Sequence, residues 1–363
     1  MQKYDYLIVG CGLTGAVIAN ELKQKGKKIL IIDKRNHIGG NVYTELKHDI
    51  LIHKYGPHIF HTNKKEIWKY INQFDEFEQF QLNTIAIAED NNIYNLPFNL
   101  HTFYQVYGTK NAKEVDDLLK NIKNENKITT NVEDFAINEI GEKMYKLLIK
   151  GYTEKQWGTE CKNINKNIIK RLPIRKEWNN NYFNDKYQGI PKNGYTYVIQ
   201  KMIEGVDLLL NTEFNLEKHY NLADKIIYCG SIDELLNFKY GLIPYRSLEF
   251  KEYDNINSQG TPIINYTSND VPYTRSIDHK MFLNATKNNT NTIITHEYPK
   301  MFDGNNERYY PIENKENINQ YKKYIKEINK LLPKIIPCGR LGTYKYLNMD
   351  QIIENALEIT KIL

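Results

Sequence analysis

The chain has 363 residues, of which 41% are apolar and 26% charged, a length sufficient for two or three domains and a composition typical of globular proteins. The net charge of +5 is small and acidic residues lie between the basic ones, so no nucleic-acid partner is expected. No apolar run reaches the roughly 18 residues of a membrane-spanning helix. The four cysteines are far apart with no Cys-x-x-Cys pair, which predicts a cytoplasmic protein without a cysteine-based zinc site.

The first predicted elements form a β–turn–α–β unit. Residues 4–9, "YDYLIV", are a short apolar run that predicts a buried parallel strand. The turn "GCGLTG" follows at 10–15, and "AVIANELKQKG" predicts a helix that ends at Gly26. A second strand, "KILIID", ends at Asp33. Because the chain enters this unit directly, no secretory signal peptide is expected.

The turn of this unit matches the pattern G-x-G-x-x-G at Gly10, Gly12 and Gly15. The first glycine allows a tight turn, and the second allows a pyrophosphate to approach the N-terminus of the helix, where free N–H groups and the helix dipole favour anions. The third allows close packing of helix and strand. Asp33 ends the second strand at the spacing of an acid that binds ribose hydroxyls. The unit therefore predicts a dinucleotide site.

The residues after Asp33 bear on which dinucleotide is bound, since FAD and NAD share this pattern. The segment "DKRNHIGGN" (33–41) contains the basic residue Arg35 and the pair Gly39-Gly40. A glycine pair at this place resembles the flavin-binding amine oxidase and mutase group, in which the backbone passes close to the flavin phosphates. A plain loop is an equally good interpretation of the pair taken alone.

The middle of the chain is predicted to contain inserted domains. Helical patterns occur at 67–74, 101–120 and 133–150, and two short strands surround an Asp-Asn-Asn turn within 84–98. A helix and a strand follow at 194–214, a buried strand at 224–230, strand-like pieces at 243–297, and a polar helix at 316–332. The chain closes with a strand, a glycine-bearing turn and a final helix. Because α/β elements occur at both ends and near 206–230, the dinucleotide domain is predicted to be discontinuous.

Residues 151–158, "GYTEKQWG", carry Tyr152 and Trp157 at the end of a helical run. These aromatic residues are either ordinary core residues or a flat surface for a ligand, and the residues alone favour the core. The bracketing glycines, Gly151 and Gly158, are interpreted as the place where the chain leaves its helix.

Three histidines, His53, His58 and His61, are close in sequence and raise the question of a metal site. Gly56-Pro57 would break any helix that aligned them, and no carboxylate lies between them. No metal is therefore expected.

Several blocks of sequence together closely resemble the bacterial-type UDP-galactopyranose mutase family. They run in the family's order from the first strand to the last helix: "YGPHIFHT" (55–62), "GYTEKQWG" (151–158), "KRLPIR" (170–175), "NNYFNDKYQGIPKNGYT" (180–196), "YRSLEF" (245–250), "PYTRSIDHK" (272–280), "RYYPI" (308–312) and "GRLGTYKYLNMD" (339–350).

The resemblance implies a reaction and its cofactor. The family interconverts UDP-galactopyranose and UDP-galactofuranose without net redox change, and the N5 atom of reduced FAD (FADH⁻) acts as a covalent nucleophile at the anomeric carbon. It also implies an external reductant such as NADPH and a homodimer. The N-acetylgalactosamine analogue is a candidate second substrate.

The resemblance also implies a three-part architecture of the α/β class, α+β overall. A discontinuous Rossmann-like FAD domain is expected from residues 1–75, 206–240 and 316–363. A helical bundle domain with a mobile substrate loop is expected at 99–178. An antiparallel sheet domain is expected from 76–98, 179–205 and 243–315.

The family's site residues transfer to matching positions in this sequence. Arg171 and Arg275 are expected to bind the diphosphate, since a guanidinium meets phosphate oxygens bidentately, and His58 to lie over the flavin near N5. Tyr152 is expected to stack on uracil. The expected substrate-binding residues are Asn83, Tyr152, Thr153, Trp157, Tyr182, Arg246, Tyr309, Tyr346 and His61. The expected cofactor-binding residues are Gly10, Gly12, Leu13, Thr14, Gly15, Asp33, Lys34, Arg35, Gly40, Asn41, His58, Ile59, Arg340, Tyr346, Asn348 and Met349.

Two residues depart from the family pattern. Asn348 replaces an acid, and Thr84 replaces a basic residue after Asn83; both are expected to bear on substrate choice.

Two alternative functions were compared with this interpretation. A flavin oxidoreductase of the amine oxidase type would share the first 40 residues but has no need of Arg171 and Arg275. A non-catalytic sugar-nucleotide binder would need neither the glycine pattern nor His58.

Overall fold

The structure is a computed structural model that describes residues 3–170, 172–255, 257–290 and 292–363. Arg171, one of the two expected diphosphate arginines, lies outside these described residues. Among the described residues, no helix combines the length and the apolar character needed to cross a bilayer.

The strands of the described residues are numbered in chain order. They are β1 Tyr4–Val9, β2 Ile29–Ile32, β3 Thr44–Lys47, β4 Ile50–His53, β5 Phe60–Thr62, β6 Phe77–Gln79, β7 Thr84–Ile87, β8 Ile93–Leu96, β9 Tyr187–Pro191, β10 Asp207–Leu209, β11 Ala223–Tyr228, β12 Tyr245–Asn255, β13 Ile263–Tyr266, β14 Arg275–Asp278, β15 Thr292–Met301, β16 Tyr310–Pro311 and β17 Ile335–Pro337.

The α-helices are numbered in the same way. They are α1 Leu13–Gln24, α2 Lys65–Ile71, α3 Leu100–Tyr107, α4 Ala112–Ile122, α5 Val132–Ile140, α6 Glu142–Met144, α7 Gly151–Trp157, α8 Tyr195–Met202, α9 Leu216–His219, α10 Ile232–Leu235, α11 Lys315–Leu331, α12 Gly339–Thr343 and α13 Met349–Ile362. A π-helical turn, Tyr145–Lys150, joins α6 to α7, and short 3₁₀ turns occupy Gly40–Val42, Cys161–Asn163, Lys166–Ile168 and His279–Met281.

A parallel five-stranded sheet, in the order β10-β2-β1-β11-β17, forms the dinucleotide-binding part. Alternate residues of β1 and β2 enter two different cores, because successive strand residues point to opposite faces. Ile8 and Ile31 pack with α1, α8 and α13, whereas Leu7 and Ile32 pack with α11. Covering both faces explains why these strands are almost wholly apolar. The strands come from three separate stretches of the chain, so the predicted discontinuous α/β arrangement is confirmed.

A second sheet of seven strands has the order β16-β12-β15-β14-β13-β7-β8. Its pairings are antiparallel except that β13 runs parallel to β7. Strands β7 and β13 can run parallel because they are far apart in sequence and no hairpin joins them. Helices α3 to α6 form a separate cluster that packs against β7 and β8. The predicted residue boundaries of the three domains stay a prediction.

The helical run around residue 151 differs from the sequence expectation. Gly151 has helical dihedrals (φ −63°, ψ −40°) and continues the run from the π-helical turn into α7. Only Gly158, at φ +67°, ends the helix. A Cβ atom on Gly151 would lie 2.0 Å from the carbonyl oxygen of Thr267. The interpretation of Gly151 as a helix end is wrong: this glycine lets α7 touch the backbone of the seven-stranded sheet.

Candidate active site

A single cleft with a volume of ≈ 2390 Å³ brings the expected site residues together. Its walls come from the fingerprint turn, α7, the seven-stranded sheet and the segment from α12 to α13. The expected residues that line it are Gly10, Gly12, Leu13, Thr14, Gly15, Asp33, Lys34, Arg35, Gly40, Asn41, His58, Ile59, His61, Tyr152, Thr153, Trp157, Tyr182, Arg275, Tyr309, Arg340, Tyr346, Asn348 and Met349. Among the expected residues that the structure describes, Asn83 and Arg246 do not line it.

The glycines of the fingerprint create a space that larger residues would fill. Gly10 has a φ of +103°, and a Cβ on Gly15 would lie 2.1 Å from the Gly10 carbonyl oxygen. A Cβ on Gly40 would lie 2.9 Å from the Cα of Gly12. Two backbone segments therefore meet at the N-terminus of α1. That N-terminus has no side-chain cap, so its first N–H groups are available to an anion.

Asp33 is held rigidly beside this turn. One carboxylate oxygen accepts the N–H of Cys11 at 2.6 Å, and the other accepts the N–H of Arg35 at 2.9 Å. Each oxygen keeps further acceptor capacity. The arrangement suits an acid that accepts hydroxyl donors from a ribose.

Arg35 and Arg340 each carry a buried N–H group without a hydrogen-bond partner among the described residues, at Nη1 and Nε respectively. Arg35 is otherwise held by Glu307 at 2.8 Å and Asn41 at 3.0 Å, and lies 4.5 Å over the ring of Tyr55. A buried unpaired donor is costly. Two such donors next to an uncapped helix N-terminus and a glycine cradle fit a bound dinucleotide with its negative phosphates.

Replacing Gly40 with alanine is expected to weaken flavin binding about tenfold or more, since the new Cβ pushes the Gly12 backbone into the space for the pyrophosphate. Gly26→Ala is the matched control. Gly26 also has a positive φ, +72°, but a Cβ there meets nothing within 4 Å. The control should lose about 1–2 kcal/mol of stability, because alanine is disfavoured in the left-handed region, and should keep its flavin. The ratio of flavin absorbance to protein and a flavin titration test this, and unchanged affinity in Gly40→Ala would contradict it.

His58 lies in the cleft as a neutral imidazole. Its Nδ1–H donates to the carbonyl oxygen of Gly56 at 2.7 Å, so Nε2 carries no proton. The pKa of His58 is lowered to about 4, mainly by burial and also by the charges of Arg340 and Arg275, against the opposing effect of the Gly56 carbonyl. A neutral Nε2 is a hydrogen-bond acceptor.

His53 and His279 lie behind His58 and are also buried. The N–H of His58 donates to Nδ1 of His53 at 3.1 Å, and the N–H of His53 donates to Nδ1 of His279 at 3.3 Å. Burial lowers the pKa of His53 well below its usual value and that of His279 to about 3. His61 is not part of this stack. No group of three metal-ligating side chains is present in the described part of the chain.

These lowered pKa values predict acid sensitivity. Histidines with a depressed folded-state pKa keep the protein stable above about pH 6.5 and destabilise it as the pH falls toward 4, because the unfolded chain binds the protons first. His58 alone contributes roughly 3 kcal/mol over that window, from a shift to about 4. His53→Asn, whose side-chain oxygen can replace Nδ1 as acceptor, should show a flatter pH dependence in urea unfolding. Curves that run parallel to the wild type would contradict this expectation.

Arg275 forms an ion pair with a buried acid that the sequence analysis missed. Its Nε and Nη2 donate to one carboxylate oxygen of Glu297 at 3.1 and 2.8 Å, and Nη2 lies 2.8 Å from the other oxygen. Glu297 is fully buried, while the Arg275 side chain is 22% exposed. Burial opposes the charge on Arg275, but Glu297 raises its pKa well above the usual value. The guanidinium is thus fixed as a permanent cation in the cleft.

The register of the sheet explains this pair. Asn265 on β13 lies opposite Arg275 on β14, which lies opposite Glu297 on β15. Residues directly opposite in neighbouring strands share a face. All three line the cleft. Asn265 and Glu297 carry no motif of their own, so only the pairing of distant strands reveals them.

An aromatic group adjoins Arg275 and includes a second residue that the sequence analysis missed. Tyr310 lies 6.3 Å from the ring of Trp157 and 5.6 Å from that of Tyr346. Burial and Glu297 raise the pKa of Tyr310, and Arg275 opposes the rise. Tyr309 lies near Arg35 and Glu307 instead: burial raises the pKa of Tyr309, Arg35 lowers it and Glu307 raises it. Tyr310 therefore lies beside Arg275.

Helix α7 carries Tyr152 and Thr153 to the cleft and is held at its C-terminal end by Arg246. Nε of Arg246 donates to the carbonyl oxygen of Gln156 at 2.7 Å, and Nη2 to that of Lys155 at 3.1 Å. A cation is favourable at a helix C-terminus. Arg246 is buried and does not line the cleft, so its hydrogen bonds support α7 from behind. Its expected contact with the substrate stays a prediction.

The two departures from the family pattern have structural places. Asn348 is the N-cap of α13 and its N–H donates to Gln351 at 2.9 Å; asparagine and aspartate cap helices about equally well. Thr84 begins β7, and its buried hydroxyl has no partner among the described residues. Thr84 lines the cleft, whereas Asn83 is exposed outside it.

The parallel sheet, the fingerprint and the cleft define an enzyme of the Rossmann-like class that uses a dinucleotide cofactor. A sequence model of NAD(P)-binding Rossmann-like domains matches residues 8–74, and the model of UDP-galactopyranose mutase matches residues 147–346. A probable UDP-galactopyranose mutase of Klebsiella pneumoniae is 36% identical over 99% of this chain and 94% of its own length. The chain therefore belongs to the UDP-galactopyranose mutase family, and the resemblance found in the sequence is confirmed.

Other relatives vary in their named substrates. A dTDP-fucopyranose mutase of Escherichia coli is 36% identical over 98% of this chain and 97% of that protein. Among solved structures, a reduced UDP-galactopyranose mutase superposes with a TM-score of 0.76 at 13% identity, covering 99% of this chain and 95% of that one. A putrescine oxidase bound to putrescine gives a TM-score of 0.59 at 11% identity, covering 99% of each chain. At these identities the structures show a shared fold.

Proposed function

We propose that the protein interconverts the pyranose and furanose forms of a nucleoside diphosphate sugar, with UDP-galactose as the first candidate. The observation that carries the proposal is one cleft lined both by the dinucleotide fingerprint and by the cation Arg275. Relatives named as mutases of UDP-galactopyranose and of dTDP-fucopyranose match over nearly the whole chain. Both names describe a pyranose sugar on a pyrimidine nucleoside diphosphate, which is the substrate class we assign.

We assign the cofactor as FAD in its reduced form. The glycine cradle of Gly12 and Gly40, the N-terminus of α1, Asp33, and the unpaired donors of Arg35 and Arg340 fit it. When bound, reduced FAD supplies a nucleophilic nitrogen for the anomeric carbon and no net redox change is needed.

The protein's own groups bind and orient the substrate. Arg275 is fixed by Glu297 and presents a guanidinium to the diphosphate, whose charge increases when the sugar–phosphate bond breaks. Arg171, which lies outside the described residues, is proposed as the second diphosphate arginine. Tyr152 on α7 offers a ring to the nucleobase. His58, with Nε2 unprotonated, offers an acceptor near the reacting centre.

The deciding experiment uses purified, flavin-loaded protein reduced with dithionite. UDP-galactofuranose, its N-acetylamino analogue and dTDP-fucofuranose are incubated separately, and each reaction is followed by chromatography. The expected result is conversion of at least one to its pyranose form, with no conversion by the oxidised enzyme. Absence of a pyranose product from all three would overturn the proposal.

The alternative is a flavin oxidoreductase, which the likeness to putrescine oxidase favours at the level of fold alone. The two functions differ in their consumption of reductant. A mutase needs reductant once, to activate the flavin, whereas an oxidoreductase consumes it in proportion to product. Steady NADPH oxidation coupled to substrate turnover would favour the alternative.

The remaining parts of the proposal concern the protein's setting. We propose a cytoplasmic homodimer that takes its electrons from an external reductant such as NADPH and supplies furanose units for cell-surface polysaccharide. Light scattering on the purified protein tests the dimer, and flavin bleaching by NADPH under anaerobic conditions tests the reductant.

A further inference from the structure

We propose that Asp185 is a positioning residue that fixes His61 in one tautomer, with Nδ1 protonated and Nε2 facing the cleft as an acceptor for a sugar hydroxyl. This inference rests on the proposed function for its substrate, but the tautomer itself is a property of the substrate-free protein.

His61 is held by a short hydrogen bond to Asp185 and by a ring stack on Phe183. Nδ1 of His61 lies 2.6 Å from Oδ2 of Asp185, and the imidazole stacks on Phe183 with ring centres 3.8 Å apart and an interplanar angle of 14°. Both side chains are mostly buried, at 18% and 24% exposure. An aromatic stack and a charge-assisted hydrogen bond leave the ring one orientation.

A chain of hydrogen bonds determines which group donates. The backbone N–H of Lys186 donates to Oδ1 of Asn63 at 3.0 Å, which sets the orientation of that amide. Its Nδ2 then donates to Oδ1 of Asp185 at 2.6 Å. The other carboxylate oxygen, Oδ2, is left to accept from His61. Since an ionised carboxylate only accepts, Nδ1 of His61 must carry the proton.

The segment that holds Asp185 is itself anchored. Strand β5, which contains His61, pairs with β9, placing His61 opposite Gln188. The Nε2 group of Gln188 donates to the Asp185 carbonyl oxygen at 2.7 Å. Arg175 donates to Asn184 and to the carbonyl oxygens of Asn181 and Phe183. The loop that carries the acid is therefore fixed from two sides.

Among the described residues the His61 ring makes its hydrogen bond through Nδ1, which leaves Nε2 for a ligand, and His61 lines the cleft together with Tyr182, Phe183 and Asp185. Tyr182 and Phe183 pack against a core cluster that includes Ile263 and Ile277, which lie on the strands that carry Asn265 and Arg275. This core connects the wall of the cleft that holds His61 with the strand of Arg275, and the proposed function places the sugar of a bound nucleotide beside that wall.

The test reverses the tautomer with one substitution. In Asp185→Asn, the amide oxygen stays with the Asn63 donor, so the amide NH₂ faces His61; Nδ1 must then accept, and Nε2 carries the proton. ¹⁵N shifts of the imidazole, measured in histidine-labelled protein at a pH where the ring is neutral and assigned with His61→Gln, report the tautomer directly. We expect Nε2 to be unprotonated in the wild type and protonated in Asp185→Asn.

Turnover is measured on the same proteins. Asp185→Asn should lower kcat/KM roughly tenfold to a hundredfold, since a buried acceptor becomes a donor facing the sugar, while flavin content stays unchanged. Asn63→Ala/Asp185→Asn should regain part of the activity, because the amide is free to turn back. Asp117→Asn, an exposed acid on α4, is the matched control and should behave as wild type.

The outcomes separate this inference from the proposed function. A wild-type Nε2–H tautomer, or full activity in Asp185→Asn, would overturn the inference even if the enzyme is a mutase. Absence of any isomerisation would overturn the proposed function while the NMR result still decides the tautomer. If Asp185→Asn fails to fold, the wild-type spectrum alone remains decisive.

Discussion

Arg275→Ala is expected to lower turnover by about 10² to 10³ and also to destabilise the protein, while the flavin remains bound. The first effect follows from loss of the cation that we propose as the partner of the diphosphate. The second follows because Glu297, fully buried, loses its partner, and an unpaired buried charge costs about 3–5 kcal/mol. Steady-state kinetics, flavin absorbance and urea unfolding measure the three quantities.

Adding Glu297→Gln to Arg275→Ala separates the loss of turnover from the loss of stability. In Arg275→Ala/Glu297→Gln the buried charge is gone, so most of the stability should return while turnover stays low. Arg275→Lys keeps the charge but loses the two-pronged geometry, and should fall between wild type and Arg275→Ala. If the double variant recovers both stability and activity, Arg275 serves the fold rather than the substrate.

Lys155→Met is expected to destabilise the protein strongly. The Lys155 ammonium, on α7, lies within hydrogen-bond distance of four carbonyl oxygens of one loop, those of Tyr266, Ser268, Val271 and Tyr273, at 2.9, 2.6, 2.9 and 3.1 Å, and its three N–H groups are shared among them. Burial lowers the pKa of Lys155 to about 8. Methionine fills a similar volume without donors, and leaving several carbonyl groups unpaired should cost roughly 2–4 kcal/mol.

The consequence for function comes from where that loop leads. Residues 266–273 run directly into Arg275, and α7 carries Tyr152, so Lys155 joins the proposed nucleobase side of the cleft to its diphosphate side. Hydrogen exchange should rise in 266–273 of Lys155→Met and stay unchanged in the parallel sheet, with a higher KM for substrate. Lys150→Met, an exposed lysine on the same helical run, is the control. Unchanged exchange in the loop would contradict the assigned role.

The glycines show what a local sequence pattern can predict and what it cannot. Gly10, Gly12, Gly15 and Asp33 were assigned from the strand–turn–helix–strand order, and the structure places them at one end of the parallel sheet. Gly151 was misinterpreted, because a glycine in a helix carries no local sign of what lies against it. The carbonyl group that requires it belongs to Thr267, more than a hundred residues away in sequence.

The sequence by itself determined the dinucleotide unit, the discontinuous α/β arrangement and the family, since these depend on local periodicity, glycine spacing and blocks of matching residues. The partners of the site emerge from the tertiary structure: Glu297 opposite Arg275, Tyr310 beside Arg275, the Lys155 contacts, and Asp185 on His61. Each joins residues from separate segments. Their meeting depends on strand register and helix packing, which sum over the whole fold and leave no signal in the residues on either side of one position.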